Sequence, residues 1–282
     1  MNRAHLFRYY STMEKKADDP CAVIVTYFHE GPAFADTLED IFNQSILTSA
    51  FVVSDCGRED ESFDQLCNLF SNRFDDRFSA CCTISNFGPS ECRNLALNEV
   101  SDSEFVAFVD GDDRWSPGHL ESQLVFFDEC PSVDLVSSNS MSIPWFAHGR
   151  RKICFLELCI WNPIVLSSVV IKMRGVNARG FKMRFPAHQN YAEDYFAWLE
   201  LSLYKQIGVS FGSDNVYRNK RISKDGRLSQ NIYRILYYCL LNSVRLVHKG
   251  RLLGGFILVL SSCLRLFLKI FFRNVPKKSD VN

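Results

Sequence analysis

An unbroken apolar run, Phe105 to Val109, ends directly in Asp110-Gly111-Asp112-Asp113. Such a run reads as a strand covered on both faces, the environment of a parallel sheet packed between helices. Its carboxyl end then carries three carboxylates in four residues, and ligands of open α/β sheets bind in the crevice beyond those ends. Carboxylates crowded in this way repel one another at neutral pH unless a positive charge sits among them. With oxygen ligands and no Cys or His nearby, the fitting ion is hard, Mg2+ or Mn2+. A solvated acidic turn is the alternative, since Asp-Gly is ordinary turn chemistry.

The flanking sequence supports an α/β reading, with short β-branched runs alternating with amphipathic stretches. Ala22 to Val25 reads as the first strand, followed by a helix with Phe34, Leu38, Ile41 and Phe42 on one face. Phe51 to Val53, Cys81 to Ile84, Val133 to Ser137 and Val165 to Met173 read as further strands. Ser62 to Phe70 and Pro89 to Val100 read as helices, another opens at Pro117, and Glu193 to Tyr204 forms one stopped by Gly208.

The chain is neutral overall, with 32 basic and 32 acidic residues, which disfavours bulk affinity for nucleic acid. That balance hides an acidic body and a basic tail, since Tyr217 to Asn282 holds 14 Lys and Arg against Asp225 and Asp280. In the tail, Ile232, Ile235, Leu236 and Leu240 share a helical face. Leu252 to Leu264 is uncharged but too short to span a bilayer, and Arg265, Lys269 and Arg273 then recur every fourth residue. The layout suits a helix lying on an anionic membrane surface, or one packed on the body or on a partner. The eleven cysteines are scattered and the first 20 residues lack an apolar signal region, so reduced thiols in the cytoplasm are expected. The six histidines are far apart in sequence, and a zinc site is not expected.

VDGDDRWSPGHLESQ resembles the D-x-D-D-x-W-x-P-x-x-L-E segment of family 2 glycosyltransferases with the GT-A fold. Further segments resemble the family in its own order: Ile24 to Tyr27, Val52 to Gly57, Asn86 to Gly88 with Arg93-Asn94, Pro163 to Met173, and Ala192 to Leu199. The resemblance implies a GT-A (Rossmann-like), mostly parallel sheet flanked by helices. It divides the chain into an extension (1–19), a glycosyltransferase domain (20–224) and a basic helical tail (225–282). It further implies an inverting, metal-dependent enzyme that moves a sugar from a nucleotide diphosphate sugar, a UDP-sugar foremost, to a glycan or lipid-linked acceptor. Lipopolysaccharide or capsule assembly on the inner face of the cell membrane is the expected setting.

By the same resemblance Asp112 is the principal metal ligand and Asp110 shares the metal or contacts the ribose. Asp113 faces the donor sugar or braces the loop. Asp55 holds the nucleotide base, Thr26 and Tyr27 line its pocket, and Arg93 lies near the donor. Asp194 is the catalytic base, with Glu193 its rival. The family's Tyr-x-Arg-x-His-like segment lacks its histidine here, leaving Arg218, Lys220 or Arg221 for the diphosphate. A non-catalytic sugar-nucleotide or glycan-binding module would not need to keep a base. A nucleotidyltransferase would want a Gly-rich basic loop where this chain has His29-Glu30-Gly31-Pro32.

Overall fold

The computed structural model describes residues 7–11, 20–56, 60–140, 149–177, 182–189, 191–212, 216–218 and 232–273. Its strands are β1 (Phe7–Ser11), β2 (Cys21–Tyr27), β3 (Thr48–Ser54), β4 (Phe78–Thr83), β5 (Phe105–Asp110), β6 (Asp113–Trp115), β7 (Leu135–Asn139), β8 (Gly149–Ile153), β9 (Val170–Lys172), β10 (Ile207–Phe211) and β11 (Val216–Arg218). Its helices are α1 (Pro32–Phe42), α2 (Glu61–Phe74), α3 (Pro89–Glu99), α4 (His119–Glu129), α5 (Phe155–Ile160), α6 (Met173–Val176), α7 (Glu193–Ser202), α8 (Ile232–His248) and α9 (Leu252–Arg273).

Two compact units emerge: Met1–Cys154 with Pro163–Arg221, and Phe155–Asn162 with Ile222–Asn282. In the first, nine strands order as β1-β4-β3-β2-β5-β9-β7-β10-β8. The strands β4-β3-β2-β5 are parallel, and β9 runs antiparallel between β5 and β7. Strands β2 and β3 are buried almost throughout, as expected where apolar runs such as Ala22 to Val25 and Ala50 to Val53 are covered on both faces. This is the expected α/β fold, a mostly parallel sheet flanked by helices.

The structure corrects several sequence expectations. An edge strand, β1, pairs antiparallel with β4 within the expected extension. The strand expected over Val165 to Met173 is confined to β9, because Leu166–Ser168 forms a 3-10 turn in which the Ser168 hydroxyl bonds Val165 O and Ser138 O. Gly208 does not stop α7 but lies within β10, where a Cβ would meet Phe126 Cζ at 2.8 Å. Lacking one, the strand can pass under that ring.

The second unit is a helical hairpin, α8 and α9, with α5 against α9, where the Ser261 hydroxyl donates to Cys159 O at 2.7 Å. Gly254 lets Phe155 approach, since a Cβ there would fall 2.4 Å from its ring. Leu240, expected on a common apolar face of α8, is exposed, whereas Cys239, Asn242, Ser243 and Leu246 are buried. Among the described residues no helix is long and apolar enough to cross a membrane.

Candidate active site

The site is built on the carboxyl ends of β2 and β5, adjacent strands in register from Cys21↔Phe105 to Thr26↔Asp110. The Thr26 hydroxyl donates to Asp110 Oδ1 at 3.3 Å. Gly111 N donates to Thr26 O at 2.9 Å, and a Cβ on Gly111 would lie 2.8 Å from that oxygen and 3.3 Å from the Glu30 carboxyl carbon. Only glycine allows the acidic loop to turn so close under β2.

Helix α1 holds this loop through a polar stripe. The Thr37 hydroxyl lies 3.0 Å from Gly111 O and 2.9 Å from Asp113 O. Asp40 accepts from Arg114 Nε and Nη2 at 2.5 and 2.8 Å and from Trp115 N at 3.1 Å. Gln44 donates to Ser116 O at 2.8 Å and accepts from Leu120 N at 3.1 Å. The spacing 37, 40, 44 is a helical face of its own, a signal that a search for apolar periodicity passes over.

Arg93 of α3 is buried and donates to two carboxylates, Asp110 Oδ1 and Glu193 Oε1, each at 2.8 Å. Burial disfavours its charge, but Asp110 and Glu193 outweigh that and raise its pKa. Next to it, the Asn94 side chain donates to Phe185 O at 2.9 Å and accepts from Phe185 N at 2.8 Å. The Arg93-Asn94 pair therefore fastens α3 both to the acidic loop and to the segment that leads into α7.

Glu193 and Asp194 occupy the first turn of α7, entered through Ala192 in a left-handed conformation (φ 53°) that costs a non-glycine residue about 1–3 kcal/mol. Glu193 is buried and engaged by Arg93. Asp194 is partly open and accepts from Tyr195 N at 2.7 Å. Burial and the Glu193 charge raise its pKa to about 7, against the pull of Arg93 and the Tyr195 amide. A carboxyl poised near neutrality suits proton transfer.

Glu30, not singled out as a site residue in the sequence, stands beside the acidic loop. Burial raises its carboxyl to about 8 against backbone amide donors, with Asp112 and then Asp110 pushing further. Glu30, Asp112 and Asp110, the last also paired with Arg93, thus bring carboxyl groups to one strand end, and carboxylate oxygens are the ligand type of a hard divalent ion.

The remaining residues brace the loops around the site, and Asp113 takes the second of its two expected roles. Asp113 turns inward, buried, and accepts from the Ser167 hydroxyl at 2.6 Å, bracing the loop. Trp115 packs beside it, donating to Ser167 O at 2.6 Å. Both Asp55 oxygens accept from backbone amides, Phe87 N and Gly88 N at 2.8 Å each, and so hold the turn before α3. The Tyr27 ring is buried between Phe34 and Phe63, with its hydroxyl donating to Asp60 Oδ2 at 3.2 Å. Strand β11 pairs with β6 so that Arg218 stands opposite Asp113. Lys220 and Arg221 lie outside the described residues.

Residues 22–181, more than half of the chain, match the model of the family described as Glycosyl transferase family 2. The chain belongs to that family. This family 2 member is 30% identical over 118 residues to the minor teichoic acid biosynthesis protein GgaA of Bacillus subtilis (strain 168), covering 40% of this chain and 26% of that protein. It is 30% identical over 108 residues to the putative teichuronic acid biosynthesis glycosyltransferase TuaG of the same organism, covering 38% of this chain and 42% of that one. The aligned parts thus span under half of these relatives' lengths. Among solved structures, S. aureus TarS 1–349 in complex with UDP-GlcNAc superposes with TM-score 0.64 at 20% identity, covering 80% of this chain and 66% of that one. The mannosyltransferase PcManGT from Pyrobaculum calidifontis, in complex with GDP-Man and Mn2+, gives 0.60 at 15% identity, covering 89% and 75%. At these identities the likeness establishes the GT-A fold.

Proposed function

We propose that this family 2 protein is a metal-dependent, inverting glycosyltransferase, moving a hexosyl group from a nucleotide diphosphate sugar to a hydroxyl of a glycan or lipid-linked acceptor. The observation that carries this reading is the Arg93 bridge, which sets a carboxyl poised near neutrality, Asp194, beside the carboxylate loop of Asp110 and Asp112.

In this reading the acceptor hydroxyl gives its proton to the Asp194 carboxylate as its oxygen bonds the anomeric carbon. The bond from that carbon to the diphosphate oxygen breaks on the opposite face, and the nucleoside diphosphate leaves with the electron pair. Asp112 and Asp110, with Glu30 beside them, would hold Mn2+ or Mg2+, which when bound supplies positive charge against the diphosphate. Arg93, bridging Glu193 and Asp110, keeps base and ligand in fixed relation. Arg218, across the β6–β11 ribbon from Asp113, is the candidate cation for the diphosphate. Thr26 lies at the donor end of β2, and Asp55 shapes the base pocket through the loop it holds.

UDP-sugars are the first donors to test, given the UDP-GlcNAc complex of TarS. The names of the relatives favour a cell-surface polysaccharide as product. A peripheral membrane role for the second unit is supported by exposed Leu253, Phe256, Leu260 and Leu264 along α9 and by the basic tail.

The decisive experiment is a nucleotide-sugar panel with manganese or magnesium, reading donor hydrolysis and thermal shift for wild type, Asp112→Ala and Asp194→Asn. One donor should stabilise wild type only with metal, Asp112→Ala should lose the response, and Asp194→Asn should bind without turnover. Failure of every donor with either metal overturns the enzyme reading in favour of a binding module. For the tail, wild type should sediment with anionic vesicles while a protein lacking Leu252 to Asn282 stays in the supernatant.

A further inference from the structure

His29 is remote in sequence from Cys56 and Asp60, yet each of the three offers a ligand atom within 4.8 Å of the other two. Their gathering follows from topology. Strands β2 and β3 are parallel and in register to their last residues, Tyr27↔Ser54, so the turns that follow emerge side by side. His29 comes from the turn after β2, Cys56 from the turn after β3, and Asp60 is the N-cap of α2, accepting from Phe63 N at 3.1 Å.

Two of the three side chains are in direct contact. His29 Nδ1 lies 2.9 Å from Asp60 Oδ2, the oxygen that also accepts from Tyr27, and Asp60 is nearly buried while the His29 ring is open to solvent. His29 is held in a left-handed conformation, φ 60°, uncommon for a residue with a Cβ. Strained backbone of this kind gathers where a side chain is aimed for a purpose. Its neighbour Glu30 feels the charges of Asp112 and Asp110 and itself acts on Cys56, so it stands between this cluster and the acidic loop.

We propose that His29, Cys56 and Asp60 form a second cation site, distinct from the carboxylate loop, that takes a borderline divalent ion, zinc foremost. One nitrogen, one sulfur and one oxygen ligand are a zinc-type set, with a fourth position left for water on the exposed His29 side. Magnesium, which demands oxygen ligands, is a poor fit. On binding, the Cys56 thiol gives up its proton to solvent and its sulfur bonds the ion, while the His29–Asp60 hydrogen bond is exchanged for two bonds to the metal.

The test uses the full chain and cobalt(II) as a spectroscopic probe in the presence of millimolar magnesium. Wild type should show a thiolate-to-cobalt charge-transfer band that saturates at one ion per chain and is displaced by zinc. Cys56→Ser should abolish the band. His29→Asn, which tolerates the left-handed backbone, and Asp60→Asn, which keeps the cap, should each weaken binding by about tenfold or more. Circular dichroism of all three variants verifies folding. A band that is absent from wild type, that survives Cys56→Ser, or that magnesium displaces overturns the proposal.

Discussion

Arg93 donates to Glu193 at 2.8 Å, joining residues a hundred positions apart in sequence. The same guanidinium holds Asp110 at the end of β5, so one buried cation fixes α7 against the acidic loop. Removing it leaves Glu193 buried and unpaired. Arg93→Met should destabilise the fold by about 3 kcal/mol, the low end for a broken buried pair because Asp110 is partly solvated. Urea unfolding checks this, and adding Glu193→Gln should recover part of the loss.

Glu193 is occupied by Arg93, whereas Asp194 is partly open. Asp194→Asn should lower kcat by about 10²–10⁴-fold with donor affinity unchanged. Glu193→Gln should mainly lower the melting temperature. Because the Asp194 pKa is raised to about 7 and the base must be unprotonated, kcat should climb with unit slope as pH rises toward 7 and level off above it.

Glu30 and Asp194 both titrate above their ordinary values, so the native state holds more protons than the unfolded chain between about pH 5 and 8. Their contribution to stability therefore falls as pH rises through that window. A metal held as proposed would offset the Glu30 share of that loss by binding its unprotonated carboxylate. The thermal shift produced by manganese should thus grow from pH 6 to pH 8.5, and Glu30→Gln should flatten the increase. Differential scanning fluorimetry at fixed metal concentration measures it.

Gly111 has no room for a methyl group, with Thr26 O 2.8 Å from where a Cβ would stand. Gly111→Ala should push the acidic loop off β2 and weaken manganese binding by about tenfold or more, as expected when ligand orientation is lost. Isothermal titration calorimetry of the variant against wild type reads this directly.

His119 is buried against Trp115, with neither ring nitrogen hydrogen-bonded, and burial lowers its pKa to about 3. Below pH 6.5 the unfolded chain takes up a proton that the native state refuses, so stability falls as pH drops from 6.5 toward 3. The loss should reach about 2 kcal/mol at pH 5. His119→Phe should remove this part of the acid sensitivity, as seen by comparing urea unfolding at pH 5 and 7.

The strands and helices around β5 were legible because their apolar residues follow the periods of the elements they form, and Phe105 to Asp110 is a buried strand as read. The break over Leu166–Ser168 was not legible, since Ser168 bonds a strand distant in sequence. Glu30 was visible only as an acid in an unhelpful loop. Its significance depends on Gly111 passing beside it.

Local sequence determined the acidic turn after β5, the paired carboxylates at the start of α7 and the basic tail, because each is written in consecutive residues. Tertiary structure alone decided that Asp113 faces Ser167, that Asp55 is spent on the amides of Phe87 and Gly88, and that His29 meets Cys56 and Asp60. The physical reason is that a carboxylate's role is set by whichever donors and charges surround it. In a parallel sheet those neighbours come from strand ends that lie side by side in space while a helix or more of chain separates them in sequence.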